Sequence, residues 1–169
     1  MDYIIRKATS SDAEEFLRYL RQIGSESYNL TFGEEGIPFT AEQERKFLTS
    51  LEKTDTCVIF CAVDGDKIIG DISCDRNPRE RLRHRGNIGI SVVKDHWNKG
   101  IGSALLKNTI EYAKKEMKLE VLTLDVRCDN VNAIHLYEKF GFKITGTIPA
   151  MMKINGELVD CYTMTLFLN

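Results

Sequence analysis

No apolar run in these 169 residues is longer than the seven from Cys57 to Val63, far short of the about 20 needed to cross a bilayer as a helix. Met1-Asp2-Tyr3 opens the chain without the charged and apolar regions of a secretory leader. Neither charge is in excess: 23 Lys and Arg stand against 25 Asp and Glu, a formal charge of −2. The broad electropositive face of a dedicated nucleic-acid binder is therefore missing. Cys57, Cys61, Cys74, Cys128 and Cys161 are odd in number and irregularly spaced, which excludes a regular disulfide framework and implies reduced thiols. No second cysteine pair accompanies Cys57 and Cys61, and His84, His96 and His135 are not at ligand spacing, so no metal site is expected. Repeats and low-complexity segments are absent as well. A cytoplasmic protein with neither membrane nor nucleic-acid partners is expected.

With 43 % hydrophobic and 28 % charged residues, the chain has the material for one core, and 1–169 reads as a single domain. Tyr3 to Arg6 reads as a strand. Ser11 and Glu14 form a capping box ahead of an apolar stripe, Ala13, Phe16, Leu17, Leu20 and Ile23, that predicts a helix ending at Gly24. Thr40 and Gln43 cap a second helix carrying Phe47, Leu48 and Leu51. Between them, Gly24 to Phe39 is polar and suited to a substrate mouth, with Tyr28 to Phe32 as a short helix or strand. Thr56 to Val63 and Lys67 to Ser73 form a hairpin about Asp64-Gly65-Asp66. The first of these strands is apolar on both faces, which calls for helices above and below a sheet. Arg76 to Arg85, with five arginines and one proline, reads as an exposed connection. A strand (Asn87 to Val93), a helix (Gly102 to Met117) and a strand (Leu119 to Val126) then favour a parallel crossover. A helix from Val131 to Phe140 follows, stopped by Gly141. Asn155-Gly156 closes an antiparallel hairpin between Thr147 to Ile154 and Leu158 to Phe167. The expected fold class is α/β.

Chemistry concentrates in Trp97-Asn98-Lys99-Gly100-Ile101-Gly102-Ser103, where a strand runs through two glycines into an amphipathic helix. Glycine lets backbone approach a phosphate, and the first amides of the helix have no internal partners. A P-loop lacks its Lys-Ser/Thr pair here, and the dinucleotide fingerprint lacks its third glycine at Leu105. A second stretch, Asp125-Val126-Arg127-Cys128-Asp129-Asn130-Val131-Asn132-Ala133-Ile134-His135-Leu136-Tyr137-Glu138-Lys139-Phe140-Gly141-Phe142, adds specificity. Together the two resemble the GNAT superfamily of acyl-CoA-dependent N-acetyltransferases: the pyrophosphate loop Arg/Gln-x-x-Gly-x-Gly/Ala and the segment Asn-x-x-Ala-x-x-x-Tyr-x-x-x-Gly-Phe. Trp97 departs from the usual Arg or Gln.

The resemblance implies a GNAT-like fold, a mixed, mostly antiparallel sheet with a central parallel pair and helices on both faces. It implies acetyl-CoA as co-substrate, with Val92 and Val93 beside pantetheine, Asn98, Lys99, Gly100, Ile101, Gly102 and Ser103 on the pyrophosphate, and Asn132 near the cofactor. Tyr137 matches the family's tyrosine, which protonates the departing thiolate, and also reads as a packing residue beside Ile134 and Phe140. A backbone amide near Val92 is the implied oxyanion donor. The base is open among Glu34, Glu35, Asp75, His84 and water, and His96 is a candidate phosphate contact. The implied reaction is direct transfer in a ternary complex to a primary amine of a small molecule: a polyamine, amino acid or antibiotic. The alternatives are protein or peptide N-acetylation and a non-catalytic acyl-CoA sensor. Relatives that pair through sheet edges make a homodimer an expectation.

Overall fold

Side chains of a strand alternate between its faces, so a strand apolar at every position needs cover on both. In the computed structural model, which describes residues 2–168, this is the role of β2 (Cys57–Asp64). Val58, Phe60 and Ala62 enter one core, while Ile59, Cys61 and Val63 enter another. Helix α1 (Ala13–Glu26) and helix α2 (Ala41–Leu51) cover the second core. Helix α3 (Ile101–Lys115) and helix α4 (Val131–Lys139) cover the first. No helix among the described residues is long and apolar enough to cross a membrane.

The remaining strands are β1 (Ile4–Lys7), β3 (Lys67–Arg76), β4 (Arg85–Val92), β5 (Val121–Arg127), β6 (Lys143–Ile154) and β7 (Glu157–Phe167). They form one seven-stranded sheet in the order β1-β2-β3-β4-β5-β7-β6, with β4 and β5 its central parallel pair and the other pairings antiparallel. Both expected hairpins are present. In the second, Asn155 and Gly156 are both left-handed, at φ 51° and 87°, the conformation whose twist matches that of the flanking strands.

The parallel pairing is short. It holds from Arg85 opposite Val121 to Asn87 opposite Thr123. Beyond that β4 stays with β3 as far as Val92 opposite Gly70, and β5 stays with β7 as far as Arg127 opposite Cys161. The sheet forks between them.

Three local expectations are corrected. The first helix is entered through Thr9 and Asp12 rather than Ser11 and Glu14. Arg6 of β1 grips the Asp12 carboxylate through two bonds of 2.7 Å, and Thr9 N–H donates to it at 2.8 Å. The Arg6 hydrogen bonds pull the Asp12 carboxyl below its ordinary range. Gly24 does not end α1, which continues to Glu26. A Cβ at Gly24 would lie 1.9 Å from the Gly33 carbonyl oxygen, so the glycine is there for close approach. Residues 27–40 contain neither strand nor helix, and Tyr28 to Phe32 pass through turns and bends.

Glu44 lies on the inner side of α2, one turn before Leu48, and both residues are fully buried. Neither carboxylate oxygen meets a hydrogen-bond partner among the described residues, and burial raises its carboxyl above the ordinary value. A carboxyl raised by folding favours the native state in acid, and that contribution is lost as the pH rises through the folded-state value. Glu44→Met is therefore expected to raise Tm near neutral pH, by about 2–8 °C for about 1–2 kcal/mol of relieved desolvation. The gain should shrink towards acid pH. Melting curves at neutral and acid pH check this, and an equal gain at both would contradict it.

Candidate active site

Where β4 and β5 part, their facing backbone edges have no strand to bind. A cleft of about 720 Å³ opens there. Val93 N–H donates to Ile69 O at 3.0 Å, and successive residues of a strand turn their N–H groups to opposite edges. Val92 therefore presents its N–H to the fork. Its carbonyl accepts the Trp97 indole N–H at 2.6 Å, so the residue that replaces the usual Arg or Gln ties the loop to the end of β4.

After Trp97 the chain must reverse into α3. Asn98 and Gly100 do so in left-handed conformations, at φ 59° and 82°. At Gly100 nothing lies within 4 Å of an added Cβ, so its requirement for glycine is conformational. Gly100 is also the residue that precedes the helix, and it has no side chain to cap it. The first helical bond is Ala104 N–H to Gly100 O, which leaves the amides of Ile101, Gly102 and Ser103 unspent. All three residues line the cleft. With no acidic side chain in the first turn, this end of α3 is a cradle for an anion.

The cleft brings together Val92, Asn98, Gly100, Ile101, Gly102, Ser103, Asn132 and Tyr137. Two expected site residues do not line it. Val93 is buried in the core under α1, and the exposed Lys99 lies outside the lining. Asn130 spends its side-chain oxygen on Ala133 N–H as the cap of α4. Tyr137 is buried, its ring 6.0 Å from that of Phe142. Its hydroxyl meets no hydrogen-bond partner among the described residues, and burial raises the phenol well above its ordinary value. It stays protonated through the neutral range.

The opposite wall comes from α1, residues 27–32 and β6, with Leu20, Ile23, Leu30, Phe32, Met151 and Met152 as its apolar surface. Two contacts hold this wall. Glu26 accepts Lys94 N–H at 2.7 Å. Arg127, forked onto Asp129 at 2.9 and 2.6 Å, donates to Tyr28 O at 3.0 Å.

Of the side chains that the sequence offers as the base, the structure brings none to the cleft. Glu34 and Glu35 line a neighbouring depression, and Glu35 accepts Gly33 N–H at 2.9 Å. Asp75 and His84 lie elsewhere on β3 and its connection. His96 does line the cleft, with Nδ1 buried and unpartnered among the described residues. The carboxylate that sequence reading passed over is Asp71. It sits in the middle of β3, opposite Ser91 of β4, and lines the cleft. Its Oδ1 accepts Tyr19 O–H at 3.0 Å and, more closely, Ser91 O–H. The two hydroxyls are 2.8 Å apart. Burial pushes the Asp71 carboxyl up to about 6. Its signal was available: an aspartate inside the run Ile68-Ile69-Gly70-Asp71-Ile72 breaks an otherwise buried strand at a cost.

A free strand edge accepts a ligand that carries its own amides, and an uncapped helix end accepts that ligand's phosphates. Both face one crevice here, an arrangement that defines the class of acyl-CoA-dependent acyltransferases. The sequence matches the acetyltransferase (GNAT) family over residues 17–142, and the chain belongs to that family. It is 36 % identical over 106 residues to the L-amino acid N-acetyltransferase AaaT of Escherichia coli K12, a match spanning 63 % of this chain and 65 % of that one. Against the probable N-acetyltransferase YjcK of Bacillus subtilis it is 31 % identical, over 92 % of this chain and 88 % of the other. A GNAT-family acetyltransferase structure from Streptococcus pneumoniae superposes with a TM-score of 0.94 at 33 % identity, covering 98 % and 99 % of the two chains. The fold is also that of yncA from Salmonella typhimurium, solved with its cofactor acetyl-CoA, at a TM-score of 0.86 and 17 % identity over 100 % and 95 % of the chains.

Proposed function

We propose that this protein is an N-acetyltransferase that moves the acetyl group of acetyl-CoA directly to the primary amine of a small molecule of amino-acid type, within a ternary complex. The observation that carries the reading is that two walls of different chemistry meet in one cleft. Unspent helix amides and a free strand edge suit the donor, and an apolar wall with a carboxylate suits an amine bearing an apolar side chain. The name of the Escherichia coli relative supports the same acceptor class.

The amides of Ile101, Gly102 and Ser103 hold the pyrophosphate, and the fork edge of β4 aligns the pantetheine. Val92 N–H donates to the oxygen that gains charge as the amine attacks, an interaction worth about 3–4 kcal/mol of barrier. Tyr137, protonated and with no competing partner among the described residues, gives its proton to the departing sulfur. All five cysteines are free, which supports a reducing, cytoplasmic setting.

The test is thiol release from acetyl-CoA with L-phenylalanine, L-methionine, putrescine, an aminoglycoside and short peptides, beside a control without acceptor. Release is expected with the apolar amino acids and not in the control. Tight binding of acetyl-CoA with no release for any amine would make the protein a sensor instead.

A further inference from the structure

A carboxylate in the interior of a central strand is costly unless its oxygens are satisfied. At Asp71 both hydroxyl donors, Tyr19 and Ser91, fall on Oδ1. Oδ2 has no hydrogen-bond partner among the described residues, on a half-buried side chain that lines the cleft. Asp71 and Ser91 are cross-strand partners, so their side chains share the face on which α1 packs. That is the side of the apolar wall, away from the α3 cradle. Ser91 adjoins Val92, whose N–H enters the fork. The other carboxylates of the cleft differ. Glu26 is engaged at both oxygens, by Gln22 and by Lys94 N–H. Asp125 is exposed and accepts Thr163 O–H.

We propose that Asp71 is the general base that takes the proton of the acceptor's ammonium at Oδ2, with Tyr19 and Ser91 as positioning residues that hold Oδ1. This rests on the N-acetyltransferase reading above. The ammonium N–H bond breaks and its proton passes to Asp71. The freed lone pair forms the C–N bond to the acetyl carbon. The C–S bond then breaks, its electron pair stays on sulfur, and sulfur takes the Tyr137 proton. A second proton leaves the nitrogen through water and restores the phenol, and Asp71 releases its own to solvent through the open cleft. The balance is one amide, one thiol and one proton released per ammonium consumed.

The titratable groups facing Asp71 are Tyr19 from α1 and Cys61 from β2, both held protonated by burial. Ser91 from β4 does not titrate in this range. Asp71 itself, raised to about 6 by burial, is ionised at neutral pH and a stronger base than an ordinary carboxylate.

The experiment measures kcat/KM against pH with saturating acetyl-CoA and L-phenylalanine, or the best amine of the screen. The wild type should rise through a limb near pH 6, level off, and fall only as the amine's own ammonium titrates. In Asp71→Asn that limb should vanish. At neutral pH kcat/KM should then drop by about 100-fold or more, and climb about tenfold per pH unit with the free amine. Ser91→Ala should move the limb to higher pH, because the lost hydrogen bond favours the carboxylate. Calorimetry with acetyl-CoA and melting curves show whether Asp71→Asn keeps its donor site and its fold. Retention of the wild-type limb in Asp71→Asn overturns the proposal. So does a loss of activity matched by lost acetyl-CoA affinity while Ser91→Ala leaves the limb in place, since that is a structural aspartate. A wild type inert towards every amine overturns the underlying reading before any variant is compared.

Discussion

Tyr137→Phe is expected to cut kcat by about 10²–10⁴-fold, the usual contribution of a positioned acid, while acetyl-CoA binds as before. The geometry separates the two roles that a tyrosine on an apolar helix face can have. Its ring packs near Phe142 and closes the core under α4, and phenylalanine keeps that packing. Its hydroxyl has no hydrogen-bond partner among the described residues, so removing it breaks no internal bond there. Stability should therefore be unchanged or slightly higher, in contrast with the usual penalty for deleting a buried, bonded hydroxyl. The phenol is pushed upward by burial, so its ionisation should impose no alkaline limb on kcat near neutral pH. Turnover, Tm and a binding isotherm for acetyl-CoA test these points. Full turnover in Tyr137→Phe would remove the acid assignment and leave the packing role.

Gly24→Ala is expected to act chiefly on the amine acceptor. The new Cβ would lie 1.9 Å from the carbonyl oxygen of Gly33 and 2.6 Å from its carbon. Both are backbone atoms, so no rotamer change relieves the clash. Either α1 or the 27–40 segment must move, at a cost of about 1–3 kcal/mol as for other overpacked sites. The displaced segment carries Leu30 and Phe32 of the cleft's apolar wall, where the amine is proposed to bind. KM for the amine should rise by about tenfold or more, the loss of about 1.4 kcal/mol of binding. The α3 cradle lies across the sheet, so KM for acetyl-CoA should hold. Gly33→Ala is the control. Its Cβ would meet the end of the Glu35 side chain, Oε2 at 2.8 Å, which can swing away, so a small effect is expected. Equal damage from both substitutions would show that the segment does not depend on the close approach at Gly24.

Much of this molecule was readable along the chain. The α1 stripe, the Thr40 and Gln43 cap, both hairpins and the glycine turn into α3 all stand where the residues place them. Each depends on interactions within a few residues, and side-chain period and turn chemistry report those directly. The entry to α1 was misread because Asp12 is chosen by Arg6, a guanidinium on the neighbouring strand. Gly24 was misread because a glycine that ends a helix and one that admits a passing backbone look the same in one dimension.

The anion cradle and the phenol are local motifs, and the order of residues was enough to name them and to point to the family. The opposite side of the cleft was not available that way. Tyr19, Asp71 and Ser91 meet across 52, 20 and 72 positions of sequence. The length of the β4 and β5 pairing depends on how each strand follows its outer neighbour. The wall over the cleft depends on Arg127 reaching Tyr28 and Lys94 reaching Glu26. Such contacts join segments whose separation along the chain carries no periodic signal, so only the packing of helices on both faces of the sheet brings Asp71, Tyr137 and the start of α3 to one cleft.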